Sequence, residues 1–324
     1  MKVMLLVMGE QRIILDHLYD MVKRNCEQCD IYRLSKEQQE NLGRFLQLNN
    51  YLEYDRVVIF SRLKRLMGQV NVLKCVPGLV FLEHDACQNY MRFSKYRGKY
   101  SAFYRRLPWA RLLCSGSVVA RKFREEGVDA VFIPKGYDET LLKNLQLPRD
   151  VPIGSLGSLN NVIYTERKQM LEQIAARTGM VVRRTQSGAE YLDALNRIGI
   201  FVSADVGMSE YMIKNFEAMA CGCVLLAWDQ GEEELAALGL EDMKNLVLYR
   251  SLDDALEKIR RLQSDPDLAM RIAQAGQALA EQRYTFSHVG QALAKATVEP
   301  MRPWPGVSSW LRFWVGLRYQ LKVR

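Results

Sequence analysis

Four groups of residues in this 324-residue chain have the types and spacing to do chemistry. Glu217 stands inside the small, apolar run Phe216-Glu217-Ala218-Met219-Ala220-Cys221-Gly222, where packing alone gives no reason for an acid. Such a carboxylate either accepts hydrogen bonds from a ligand or satisfies a neighbouring helix N-terminus. Arg167 and Lys168 follow an apolar run that ends in Gly157-Ser158. Cations near a glycine turn, with backbone N–H groups at 157–158 turned outward, suit anionic oxygens such as phosphates. His84 and Asp85 directly follow the apolar run Leu79–Glu83, where they can move protons, stabilise charge or cap the next helix. Residues 91–111 hold seven Lys or Arg and six aromatic residues, with no acid. A surface built from these suits phosphate-bearing partners, and a solvated basic helix is the plainer alternative.

The elements that must position these groups are legible as alternating apolar runs and amphipathic stretches. Phe216, Met219 and Ala220 recur at helical spacing, and Gly222 stands where a left-handed helix cap needs no Cβ. The run Ile198–Asp205 before this helix reads as a strand, which puts the helix start at the carboxyl edge of a parallel sheet, the ligand-binding edge of open α/β sheets. Further strands are expected at 3–8, 29–34, 54–59, 78–82, 112–114 and 130–134 in the first half. In the second half they are expected at 153–157, 181–184, 224–226 and 245–249. Strands that alternate with helices predict an α/β fold with parallel sheets.

The central stretch resembles the nucleotide-sugar site of the group 1 retaining glycosyltransferases, on Phe216-Glu217-Ala218-Met219-Ala220-Cys221-Gly222 and the strand after it. The resemblance implies the GT-B architecture, two Rossmann-like domains facing across a cleft with a C-terminal helix that can cross back to the first. It implies that Glu217 binds the ribose hydroxyls. The family's first acid, eight positions earlier, falls on Ser209 with Glu210 beside it, as in the branch with a spore-maturation-type C-terminal domain. Ser209, Glu210 and Asn215 are therefore expected near the donor. The turn at Gly157-Ser158 corresponds to the family's diphosphate turn, but Ser158 replaces the usual Arg, which leaves Arg167 and Lys168 as its substitutes. Gly9, after the first strand, takes the place of the family's turn near donor phosphates and acceptor. His84 takes the place of a residue that contacts the donor sugar or the developing charge.

A chain of this length exceeds a comfortable single core, so domains are expected at 1–148 and 149–298, with a separate tail at 299–324. The turn-rich segment Leu147–Pro152 reads as the hinge. Seven cysteines lack metal-site spacing and argue for free thiols in a reducing compartment. No cofactor or metal is expected: the only Asp-x-Asp triplet, Asp265-Pro266-Asp267, opens a helix instead of following a strand. Met1–Met8 reads as a buried strand rather than a signal sequence, and no apolar run reaches the roughly 20 residues of a membrane span.

The tail carries Trp310, Trp314, Leu317 and Leu321 at helical spacing among Arg and Lys, with no acid from 301 to 324. It fits an anionic membrane surface or a helix packed back on the first domain. Arg92, Lys95, Arg97, Lys99, Arg105, Arg106, Trp310 and Trp314 are thus candidates for contact with an acceptor or membrane. Nucleic acid is the weaker partner, because no DNA- or RNA-binding module accompanies the basic stretch. The expected function is sugar transfer from a UDP- or GDP-linked donor to a cell-surface glycan precursor, lipopolysaccharide core or another lipid-linked saccharide. It is placed at the cytoplasmic face of the inner membrane, with retention implied by the family and an inverting reaction using His84 or Asp85 as base left open. The alternative is a non-catalytic relative serving as a membrane-associated scaffold.

Overall fold

The computed structural model describes residues 1–10, 14–157 and 165–323. The chain forms two compact units, Met1–Ile133 with Gly290–Arg324, and Pro134–Val289.

The first unit holds a six-stranded parallel sheet: β1 (Lys2–Met8), β2 (Gln28–Leu34), β3 (Arg56–Phe60), β4 (Leu79–Glu83), β5 (Arg111–Cys114) and β6 (Asp129–Phe132). Their order is β2-β1-β3-β4-β5-β6. β1, β3, β4 and β5 are buried almost throughout, as parallel strands covered by helices must be. The second unit holds β7 (Val151–Leu156), β8 (Val181–Arg183), β9 (Ile198–Ser203), β10 (Val224–Trp228) and β11 (Val247–Tyr249), all parallel, in the order β11-β10-β9-β7-β8. Ile153, Ile200, Val202, Val224, Leu226 and Val247 form its core with the helices over them. Each expected strand is present within a few residues of its expected bounds.

The units divide at Pro134 and Gly290, earlier than the expected 148 and 298. Leu147–Pro152, expected as the hinge, lies within the second unit, where the Arg149 guanidinium donates to the carbonyls of Leu195 (3.1 Å), Ile198 (3.0 Å) and Cys221 (2.7 Å). Residues 299–324 belong to the first unit. There Arg111 reaches the carbonyls of Ala296 (2.8 Å) and Pro300 (2.6 Å) while pairing with Asp129 at 3.0 Å.

The basic–aromatic stretch also divides by face. Tyr100, Phe103, Tyr104 and Trp109 are core residues, with Phe81 packed edge-on against Phe103 and Tyr104 at 5.5 and 5.4 Å. Its aromatic residues are therefore mostly core, apart from exposed Phe93 and half-buried Tyr96, over whose ring Lys95 and Lys99 lie. Arg92, Lys95, Arg97, Lys99, Arg105 and Arg106 remain exposed. All seven cysteines are free. Asp265 caps its helix by accepting from the Leu268 N–H at 2.9 Å, with Pro266 in the first turn.

Candidate functional site

The site is built at the carboxyl edge of the second sheet, where β7, β9 and the Ile213–Ala220 helix meet. Gly157 directly follows β7, and its φ of +152° suits glycine. An added Cβ there would stand 2.5 Å from the Lys214 ammonium and 3.8 Å from an Arg167 guanidinium nitrogen. Two cations from separate helices thus converge on one bare backbone turn. Lys214 also donates to the Leu156 carbonyl.

Asp205, just beyond β9 and almost wholly buried, organises the approach. Its Oδ2 accepts from the Ser203 hydroxyl (3.1 Å), the Met212 N–H (3.1 Å) and the Asn215 amide (2.7 Å). This fixes the N-terminal turn of the helix, which has no side-chain cap of its own. Its Oδ1 lies 3.6 Å from Arg167, too long for a hydrogen bond. Arg167 Nε, Asp205 Oδ1 and Asn215 Oδ1 are buried without hydrogen-bond partners. The Arg167 head is therefore held by charge while part of its donor capacity stays unused.

Glu217 lies one helical turn beyond Lys214, so both project from the same side of the helix. It accepts a hydrogen bond from the Tyr191 hydroxyl. Burial pushes the Glu217 carboxyl above its ordinary value, against the opposing pull of that hydrogen bond and of the Lys214 charge. Burial and the neighbouring carboxylate push Tyr191 well up, so it stays protonated as the donor. Gly222, with φ of +75°, closes the helix, and its N–H donates to the Met219 carbonyl at 2.9 Å.

The other expected donor residues divide. Asn215 is a brace, donating to Asp205 and, at 3.0 Å, to the Met212 carbonyl. Glu210 is fully buried and paired with equally buried Lys135 at 3.1 Å, so the acid beside the family's first-acid position is turned inward. Ser209 takes a left-handed backbone, φ +55°. Lys168 pairs along its own helix with Glu172 at 3.7 Å, while Arg167 is the one turned to the site. Ser158 lies outside the described residues.

In the first unit, Gly9 continues the β1–β2 pairing through its N–H to the Leu34 carbonyl at 2.8 Å. The His84 ring rests against Phe60, centroids 5.1 Å apart, at the ends of β4 and β3. Asp85 is exposed and makes no side-chain cap bond to the turn after it.

Sequence reasoning passed over Lys214, Asp205, Tyr191 and Lys135. Lys214 carried a signal, since a cation three residues before Glu217 must share its helical face. The others act through contacts between distant parts of the chain and carried none.

Residues 151–295 match the family described as glycosyl transferase-like. No curated protein matches the chain. Among solved structures, HepE of Anabaena in complex with UDP-glucose is similar at 15% identity and a TM-score of 0.69, over 91% of this chain and 99% of that one. Sucrose-phosphate synthase of Thermosynechococcus elongatus gives 13% identity and a TM-score of 0.63, over 91% and 98%. The DNA-modifying enzyme β-glucosyltransferase gives 11% and 0.59, over 92% and 100%. These likenesses show the fold, GT-B, and the matched segment lies mostly within the unit that carries Arg167, Lys214 and Glu217.

Proposed function

We propose that the protein is a glycosyltransferase that moves a sugar from a nucleoside-diphosphate donor to a glycan acceptor. The carrying observation is the convergence of Arg167 and Lys214 on the Gly157 turn, with Glu217 one helical turn further along. Breaking the sugar–phosphate bond leaves negative charge on the departing diphosphate. Cations already held beside the phosphates stabilise that charge more in the transition state than in the ground state. Arg167 and Lys214 fill this role, Gly157 gives the phosphates close access to backbone, and Glu217 binds the ribose hydroxyls. Lys168 and Ser209 are assigned as outer members of the same site and Asn215 as its brace, while Ser158 keeps the diphosphate-side role that its place in the sequence gives it. Glu210 keeps at most an indirect part, through Lys135.

The reading extends to a UDP-linked donor, supported by the UDP-glucose named with HepE, with a GDP-linked donor as the other choice. No metal enters, because the charge is met by side chains and the sequence's sole Asp-x-Asp triplet is a helix cap. Retention follows the family resemblance. His84 and Asp85, with Gly9 nearby in sequence-family terms, keep the sugar-side role proposed for them, or that of a base if the reaction inverts. The acceptor is a lipid-linked or anionic saccharide such as lipopolysaccharide core, met by Arg92, Lys95, Arg97, Lys99, Arg105 and Arg106 at the cytoplasmic face of the inner membrane. No helix among the described residues is long and apolar enough to cross a membrane, so association would be peripheral.

A second reading has its own observation. Ser209 is not acidic and Glu210 is locked to Lys135, so no carboxylate stands free at the first-acid position. A binding-only relative that scaffolds membrane enzymes would keep the fold without turnover. The separating experiment measures nucleotide release from UDP- and GDP-sugars, with and without extracted membrane glycolipids. Release that depends on glycolipid and is lost in Arg167→Ala supports transfer. Nucleotide binding without release from any donor supports the scaffold.

A further inference from the structure

The most exposed large apolar side chains among the described residues are Leu317 (74%), Leu48 (71%), Trp310 (70%) and Phe313 (70%). All four lie on two helices of the first unit, Leu42–Leu48 and Ser309–Tyr319, which pack together. The Tyr319 ring fills the space beside Gly43, and the Lys322 N–H donates to the Gln47 side chain at 2.8 Å. Leu311 and Val315 are buried and fix the rotation of the second helix. Trp310, Phe313 and Leu317, spaced at three and four residues, then form one outward stripe. Trp314 is only partly exposed, and Leu321, expected on this stripe, is buried.

An outward apolar stripe of this kind marks a contact surface. Its rim is basic: Arg44, Arg312, Arg318 and Lys322 are exposed, and no acid occurs from 301 to 324. We infer that this two-helix face seats the protein on an anionic lipid surface. Trp310, Phe313, Leu317 and Leu48 enter the boundary between headgroups and acyl chains, and the basic rim meets lipid phosphates. The inference deepens the membrane-held acceptor proposed above and rests on that reading for its purpose, though not for its test. It also moves the apolar contact away from the 91–111 stretch, whose aromatic residues are mostly core.

The test is flotation of the full chain with phosphatidylethanolamine vesicles containing phosphatidylglycerol, against phosphatidylcholine alone. Binding to the anionic vesicles, weakened by salt, is expected. The variant Trp310→Ser/Phe313→Ser/Leu317→Ser should lower the partition coefficient about ten-fold or more, with an unchanged unfolding midpoint. Arg312→Glu/Arg318→Glu should abolish the preference for anionic lipid. The inference is overturned if the wild type stays with the unbound fraction or if the triple variant binds equally well. It is also overturned if the wild type is a dimer that the triple variant converts to monomer, which would assign the face to a second copy. Titrating nucleotide into the same preparation separates the two readings. Nucleotide binding without vesicle binding removes this inference alone, and the converse removes the donor site alone.

Discussion

Lys214 and Glu217 share one side of a single helix, yet each is held by a different neighbour. The Lys214 ammonium donates to the Leu156 carbonyl beside Gly157, while the Glu217 carboxylate accepts from Tyr191. One helical turn therefore separates a cation suited to phosphate from an acid suited to hydroxyls, the order in which a nucleoside diphosphate presents its groups.

Replacing Lys214 or Arg167 by Ala should weaken nucleoside-diphosphate binding about 10- to 100-fold, the value of a charge-assisted hydrogen bond of about 1.5–3 kcal/mol. Binding of the plain nucleoside should change little. Calorimetric titration with both ligands checks this. An equal loss for both would mean that the cations shape the pocket and do not bind phosphate.

Glu217 carries a cost in stability. Its folded-state value is raised, so between the ordinary carboxylate range and that raised value the folded protein holds more protons than the unfolded one. Stability from this group is full at acid pH and is lost as pH rises through that window. Glu217→Gln should remove this loss and unfold at higher denaturant than the wild type at neutral pH, while binding nucleotide more weakly. Denaturation at several pH values tests the sign.

The Lys135–Glu210 pair should behave as a buried unit. Lys135→Ala leaves a fully buried carboxylate without its partner and should cost about 3–5 kcal/mol. Lys135→Met with Glu210→Gln removes both charges and should cost clearly less. Equal destabilisation by the single and double variants would show that the charges are not coupled.

Arg111 was one of seven cations in a stretch that reads as surface, but it is a buried clamp. Arg111→Ala strips hydrogen bonds from the carbonyls of Ala296 and Pro300 and leaves Asp129 alone, so the first unit should lose about 3–5 kcal/mol. Vesicle binding per folded molecule should not change, as flotation of the variant would show.

Much of this architecture is legible because buried parallel strands need unbroken apolar runs. Leu79–Leu82, Ile198–Val202 and Val224–Leu226 declare themselves without reference to anything distant. The Ile213–Ala220 helix is legible for a similar reason, through spacing and the glycine that ends it. Arg167 was singled out because it follows a strand that ends in glycine. Residues 91–111 misled because cations and aromatics interleave, and composition does not say which face turns inward. Tyr100 and Tyr104 go to the core while Lys99 and Arg105 stay in solvent. The turning of Glu210 to Lys135 was beyond reach, since it depends on a contact 75 residues apart that no local pattern encodes.

The most direct test titrates a panel of nucleoside diphosphates and their sugars into the wild type and Glu217→Ala. The account predicts micromolar binding of one nucleotide, stronger than its nucleoside, weakened about ten-fold or more by the substitution. Absence of binding by every member of the panel, or binding indifferent to Glu217, would contradict it.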